Sequence, residues 1–381
     1  MIPTPSAAQT SACWWLTGVV PSDLNVLIVG YGLAGRVFHG PLIAATPGLT
    51  VGGIVTSDPE RAEQAGRDHP GALVLPDLAA ALSRGFDIVV VASANITHVP
   101  YAEQALRAGA HVVVDKPIAA DAGQAEALAL LAEQHRRLVV PFQNRRWDSD
   151  FLTALRVAES GVLGMVHRFE SRMDRMRVVP KPGWRGSADP ADLGGMLYDL
   201  GAHLVDQALM LMGPAVSVSA TVRSVRPLDP TDDDVVVLIT HDDGGVSVLS
   251  ASQVSAFGDQ RMALLGTRGG LRIRHGDTQE DVLRRGVIPG EDWGAEPDEH
   301  AAILRTFDDD NVASEQDVPL ERGRWPEFYR SLEDAIRDGS PPPVSIRDVV
   351  ATMRVLDAAR TSGAGSTTVI LGPPAGHGST T

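Results

Sequence analysis

Glycines 30, 32 and 35 stand as G-x-G-x-x-G in the run Val29-Gly30-Tyr31-Gly32-Leu33-Ala34-Gly35. A loop of this kind, leaving a strand and opening a helix, can hold the pyrophosphate of a dinucleotide. Gly30 permits the tight turn, and Gly32 has no Cβ to keep a phosphate from the backbone. Gly35 lets helix and strand pack closely, and the helix start at Leu33 and Ala34 offers N–H groups to the phosphates. In a chain with 38 glycines, a turn without function is the competing explanation. Strand and helix on both sides of the loop favour the dinucleotide.

The choice between NAD and NADP falls at the end of the second expected strand, where an acidic residue would bind the ribose 2′-hydroxyl. Thr56 and Ser57 stand there instead; their hydroxyls suit a 2′-phosphate, and Arg61 adds a charge. Asp58 argues for NAD only if it turns inward. Followed by Pro59, it is better suited to cap the next helix. The expected cofactor is NADP, with NAD as the alternative.

Lys116, in Asp115-Lys116-Pro117, follows an apolar run at 111–114. The carboxyl end of a parallel strand is where such sheets bind ligands, although a solvated lysine in a turn fits the sequence equally. In Leu193-Gly194-Gly195-Met196-Leu197-Tyr198-Asp199-Leu200-Gly201-Ala202-His203, Asp199 and His203 are four apart and so share one helical face. Gly194 and Gly195 allow close backbone approach. The pair is either reactive or a support for the helix end. Neither H-x-x-E-H nor H-E-x-x-H occurs, and Cys13 is the single cysteine, so neither a metal nor a disulfide is expected.

Such residues need a frame. Apolar runs at 25–29, 51–55, 87–92, 111–114 and 138–142 predict buried parallel strands. Between them 35–45, 59–67, 98–108 and 121–136 read as helices, with Gly109 as a stop and Asp121 as a cap. This alternation is the pattern of a doubly wound Rossmann sheet, over 25–145. After Trp147 the pattern changes. A helix at 148–160, capped by Asp148 and ended by Gly161, precedes strand-like runs at 166–171, 216–223, 235–240, 245–252 and 262–265. These predict a large, open, mainly antiparallel sheet interrupted by a helix at 199–212, in a second α/β domain over 146–361. Late helices at 325–337 and 346–362 are expected to return to the first domain. Residues 1–24 and 362–381 read as a disordered leader and tail, apart from the apolar run 369–371.

The chain has 381 residues, 44% hydrophobic and 21% charged, enough for large cores without staples. A net charge of -15 repels phosphate backbones and anionic lipid, so no nucleic-acid or membrane partner is expected. No apolar run approaches the ~18 residues of a membrane span. The first 24 positions hold no Lys or Arg, unlike a secretory signal, so a cytoplasmic location is expected.

The glycine loop, Asp115-Lys116-Pro117 and the run from Gly194 to His203 together resemble the Gfo/Idh/MocA oxidoreductases. Those pair an N-terminal Rossmann domain with a C-terminal α/β domain on a large open sheet. The family usually has Glu-Lys-Pro where this chain has Asp115. Gln143-Asn144-Arg145-Arg146-Trp147-Asp148-Ser149-Asp150-Phe151, Trp184-Arg185 and the continuation Leu204-Val205-Asp206-Gln207 resemble the group containing NADP-dependent scyllo-inositol dehydrogenase.

The resemblance implies reversible oxidation of a secondary alcohol to a ketone on a cyclic polyol or sugar, with hydride passing to nicotinamide C4. It implies His203 as general acid/base and Lys116 as the hydrogen-bond partner of the reacting oxygen. Asp199 would bind a substrate hydroxyl or hold Lys116 and His203 in place. Asn144, Arg145, Trp147, Arg175, Arg177, Trp184 and Arg185 could line the substrate cleft. The tryptophans could instead be core, and the arginines could pair with carboxylates. Ser93, Asn95, His98, Asp115 and Lys116 would border the cofactor, although His98 could simply begin a helix. Dimers or tetramers through about 216–265 are also implied, because the strands there carry apolar residues that no helix obviously covers. Two rival readings share the scaffold. One is a glycosidase that oxidises and re-reduces its substrate on a held cofactor. The other is a non-catalytic dinucleotide-sensing regulator, against which the presence of Lys116, Asp199 and His203 together argues.

Overall fold

The computed structural model describes residues 23–177, 179, 193–226 and 231–372. Its first sheet holds β1 (Leu24–Val29), β2 (Leu49–Val55), β3 (Leu73–Leu75), β4 (Ile88–Val91), β5 (His111–Val114) and β6 (Val139–Pro141). Their order is β3-β2-β1-β4-β5-β6, every pair parallel. Residues 26–29 and 88–91 are buried on both faces, which is why these strands read as unbroken apolar runs. Strand order reverses between β1 and β4, so their carboxyl ends open a crevice for ligand.

The connecting helices are α1 (Gly40–Ala44), α2 (Pro59–Asp68), α3 (Leu78–Leu82), α4 (His98–Arg107) and α5 (Ala122–His135). The regular helix expected over 35–45 is in fact a π-helical segment, Ala34–His39, that runs into α1. β3 and α3 were not foreseen; three and five residues are too short to show a period. Asp58 caps α2 as expected, its carboxylate accepting the N–H groups of Glu60 and Arg61.

The second sheet holds β7 (Val166–Asp174), β8 (Ala215–Arg223), β9 (Asp234–His241), β10 (Val246–Ser252), β11 (Met262–Gly266), β12 (Gly269–Ile273), β13 (Ala302–Phe307), β14 (Ala313–Val318) and β15 (Val369–Ile370). The order is β14-β13-β12-β11-β7-β10-β9-β8-β15. Only β7 and β10 pair in parallel, so the sheet is mixed and mainly antiparallel. The remaining helices are α6 (Ser149–Glu159), α7 (Ala202–Met212), α8 (Gln279–Arg284), α9 (Pro326–Asp338) and α10 (Ile346–Gly365). One face of the sheet packs under α6, α7 and α10. Val235, Val237 and Ile239 point into that layer, while Val236 and Leu238 on the other face are 40% and 41% exposed.

Three expectations are corrected. The uncovered face is not apolar throughout. Register places Val248 beside Leu238 and Glu170, with Arg168 and Arg172 flanking. A small apolar patch therefore sits within a frame of pairs such as Arg168–Glu170 and Arg223–Asp234. Asp148 does not cap α6 through its side chain, which instead accepts from the indole N–H of Trp325 at 2.8 Å and from Arg145 at 3.1 Å. Order also extends past Ser362: α10 continues to Gly365, and β15 pairs with β8. The Ser362 hydroxyl accepts the N–H of Ala220, tying this end to the sheet. Residues 1–22 and 373–381 lie outside the described residues.

The late helices make contacts with the first sheet's layer. His39 and Tyr329 of α9 share a 2.6 Å hydrogen bond. Arg354 of α10 reaches Glu126 of α5, and Asp357 accepts the N–H of Ala122. Because α10 also lies on β8, one helix serves both sheets.

Between β6 and α6, a short 3-10 turn (Asn144–Trp147) carries Arg146. Its guanidinium grips Asp206 of α7 through two bonds, 2.8 and 2.7 Å, and reaches Asp348 at 3.2 Å. Arg146 and Asp206 are buried, whereas the Asp348 side chain is 52% exposed. Removing one partner of a buried pair strands the other charge. We expect Asp206→Ala to lower unfolding stability by about 3–5 kcal/mol and Asp348→Ala by less than about 1 kcal/mol. Urea denaturation checks this; equal effects of the two substitutions would contradict it.

Candidate active site

Lys116 follows β5 directly. Its backbone N–H donates to Asp115 Oδ1 at 2.8 Å, and the next peptide, to Pro117, is cis. The side chain crosses to the second domain, where Nζ donates to Asp199 Oδ1 at 2.8 Å and to the Asp199 carbonyl. Both side chains keep about a fifth of their surface exposed. Lys116, Asp199 and Asn95 line one cleft with Pro117, Gly195 and Tyr198.

Ahead of Asp199, Gly195 permits a close approach. Gly195 has φ 92, and a Cβ there would sit 2.0 Å from Asp232 Oδ1. Asp232 in turn accepts the N–H of Leu197 on its side chain, at 2.8 Å, and of Met196 on its carbonyl. That clamp starts a π-helical segment, Leu197–Gly201, which runs into α7. Asp199 and His203 therefore straddle a junction between i→i+5 and i→i+4 winding rather than one regular α-helical face. Asp199 meets Lys116, and His203 meets a residue not foreseen: Nδ1 lies 2.9 Å from Oε1 of Gln143.

His203 is 4% exposed. Burial holds its pKa well below the usual imidazole range, and the charges of Lys116, Arg145 and Arg261 push the same way against Asp199. The ring is therefore neutral at physiological pH.

The glycine loop fits a dinucleotide pyrophosphate. A Cβ on Gly32 would meet only Arg61 Nη1, at 3.9 Å, so open space bordered by a cation lies above it. Gly35 packs so tightly that a Cβ would fall 2.0 Å from the Gly30 carbonyl oxygen. Leu33 is exposed and Ala34 half-buried at the start of the helix. Thr56 is half-buried and Ser57 exposed at the end of β2, with Asp58 committed to its cap.

Other candidates divide. Asn95 is buried at the cleft, its amide 3.4 Å from the Leu193 carbonyl oxygen. The Ser93 and Thr97 hydroxyls bond each other at 2.6 Å. His98 is 1% exposed; its Nδ1 donates to the Pro117 carbonyl at 2.8 Å, and Nε2 lies 3.3 Å from that of Ser93. Its ring thus ties the β4 and β5 exits together. Arg145 is held by Asp148 and Glu280, at 3.1 and 2.9 Å, as an internal ion pair rather than a free guanidinium. Trp147 packs edge-on against Phe328, centroids 5.9 Å apart, which is a core role. Asn144 is buried. Arg175 is exposed within electrostatic reach of Asp199, while Arg177 accepts Arg226 on its carbonyl. Trp184 and Arg185 lie outside the described residues. A larger cavity, about 750 Å³, opens between α7, α10 and β15 and contains none of the three reactive candidates. Among the described residues no helix is long and apolar enough to cross a membrane.

The buried imidazoles make folding pH-dependent. His203 and His39 titrate lower when folded than when unfolded, His39 near about 4, both because burial opposes the charge. The unfolded chain therefore binds more protons below about pH 6.5, and stability falls as pH drops. His69, His98, His111 and His241 are lowered in the same way and outnumber Asp232 and Asp277, whose carboxyls burial raises to about 6 and which act in the opposite sense, so we expect Tm to decline between pH 6.5 and 5; a flat Tm across that interval would contradict it.

Residues 24–142 match the family model described as oxidoreductase family, NAD-binding Rossmann fold, and residues 151–272 match that of the GFO/IDH/MocA C-terminal domain. The chain is similar to the uncharacterized oxidoreductase YdgJ of Escherichia coli K12. They are 34% identical over 338 residues, covering 88% of this chain and 95% of YdgJ. It is also similar to scyllo-inositol 2-dehydrogenase (NADP(+)) IolW of Bacillus subtilis 168, 32% identical over 351 residues, or 91% and 96% of the two chains. The solved structure of the Bacillus subtilis protein yvaA superimposes with a TM-score of 0.88 at 30% identity, over 92% of this chain and 99% of that one.

Proposed function

This chain belongs to the Gfo/Idh/MocA family of NAD(P)-binding oxidoreductases, and on that footing we propose that it interconverts a secondary alcohol and a ketone on a cyclic polyol or sugar. The observation that carries the reading is the meeting of Lys116 and Asp199 in one cleft, with a buried neutral His203 under their influence. A nicotinamide cofactor held at the glycine loop, Gly30, Gly32 and Gly35, would supply the hydride acceptor for the substrate carbon. The rest falls to the chain. Two of the three Lys116 ammonium hydrogens go to Asp199, which leaves one for the reacting oxygen. That contact strengthens as negative charge grows on the oxygen. Asp199 aims Nζ and compensates its charge. The His203 imidazole takes the hydroxyl proton in oxidation and returns it in reduction.

An inositol-like substrate and NADP are the finer parts of the proposal. The relative IolW carries both in its name. In this chain Asp58 is spent on its helix cap, no other acid stands at Thr56 or Ser57, and Arg61 borders the loop. Purified protein should reduce NADP faster than NAD with an inositol, when inositols, aldoses and sugar acids are screened by absorbance of the reduced cofactor. No turnover across that panel would overturn the reading. Lys116→Ala and His203→Ala should each lower turnover by about 10²-fold or more while NADP still binds; near-normal turnover in either removes that residue from the mechanism.

For assembly, we place a two-fold contact on the uncovered face of the second sheet, where Val236, Leu238 and Val248 form the apolar patch. Light scattering at micromolar concentration should give at least twice the mass of one chain; a stable monomer would refute it.

A further inference from the structure

His203 meets Gln143, a residue that is 3% exposed. We propose that Gln143 is a positioning residue: it holds neutral His203 as the Nδ1–H tautomer, so that Nε2 is the atom that takes and returns the substrate proton. The inference rests on the reading of His203 as the acid/base.

A carboxamide oxygen can only accept, so the 2.9 Å contact between Oε1 and Nδ1 requires the proton on Nδ1. A neutral imidazole has one N–H, and Nε2 is then left with its lone pair. Gln143 itself has little freedom. It sits at the exit of β6, its N–H donating to the Pro141 carbonyl and its carbonyl accepting from Arg146. Arg146 is clamped to Asp206, three residues beyond His203, and the Arg145 carbonyl accepts the Gln207 amide at 2.9 Å. The Gln143–His203 contact is thus one of three rungs between this turn and α7. Glutamine also fixes the tautomer without adding charge. A carboxylate in its place would join Asp199 in raising the imidazole pKa, against Lys116, Arg145 and Arg261.

The test uses the full-length protein with ¹⁵N-labelled histidine. Long-range ¹H–¹⁵N correlation shows which ring nitrogen carries the proton, and His203 is assigned by the signal lost in His203→Gln. We expect Nδ1 protonated in the unmodified protein, and a shift towards the Nε2–H form in Gln143→Leu. Nε2 protonated at the outset, or an unchanged tautomer in Gln143→Leu, would overturn the proposal. In turnover, Gln143→Leu should lose about tenfold or more in kcat with KM and NADP affinity nearly unchanged. Gln143→Glu restores the acceptor, so it should recover kcat at high pH with the acidic limb moved to higher pH; a limb left in place would indicate a structural role only. If His203→Gln is inactive while Gln143→Leu keeps both tautomer and rate, Gln143 alone is excluded. If His203→Gln keeps full turnover, the acid/base reading itself falls, and the role of Nε2 with it.

Discussion

The buried pair of Arg146 and Asp206 is the contact on which the arrangement of the site depends. Both charges are out of water, so each is tolerable only while the other is present in bidentate register. That requirement fixes the turn after β6 against α7. With this register set, the Arg145 carbonyl falls opposite Gln207 and Gln143 falls opposite His203. The first sheet delivers the turn and the second sheet's layer delivers the helix. One ion pair therefore sets the relation between the sheets and the orientation of the imidazole. Asp348 joins from α10, the helix that lies on both layers.

The cleft is electrostatically unlike the surface around it. The chain as a whole is strongly acidic, yet Lys116, Arg145 and Arg261 all act on His203. Each of these cations has its own carboxylate: Asp199 for Lys116, Asp148 and Glu280 for Arg145, and Asp150 for Arg261. Pairing keeps buried charges affordable and leaves the imidazole as the neutral member of the group. Burial raises the Asp148 pKa strongly and Arg145 opposes that rise, so the pair is held by mutual need. In the proposed alcohol oxidation, the imidazole would serve as base and the lysine would stabilise the growing oxygen charge.

The contact proposed on the open sheet face would be oriented by the charges around it. A wholly apolar face would associate with little regard to orientation. Here Val236, Leu238 and Val248 are framed by ion pairs along β7 and β8. Such a frame opposes contacts in the wrong register, because misplaced like charges repel.

The sequence by itself determined the Rossmann sheet, a mainly antiparallel sheet after Trp147 without its parallel β7–β10 pair or its strands β12, β13 and β14, the glycine loop and the Asp58 cap. Those features are written in local periods and turn chemistry that act over a few residues. It also singled out Lys116, Asp199 and His203. It did not reveal the two π-helical segments, because insertions in winding follow from packing at Gly35 and from the Gly195–Asp232 clamp, not from propensity. Nor could it separate Arg145, an internal ion-pair member, from an arginine facing substrate, since both look alike until Glu280 arrives from 135 residues away. Gln143 begins the run Gln143–Phe151 with nothing local to give it a role. Its partner lies 60 residues along the chain, and only the fold, through the buried pair beside it, decided that the two would meet.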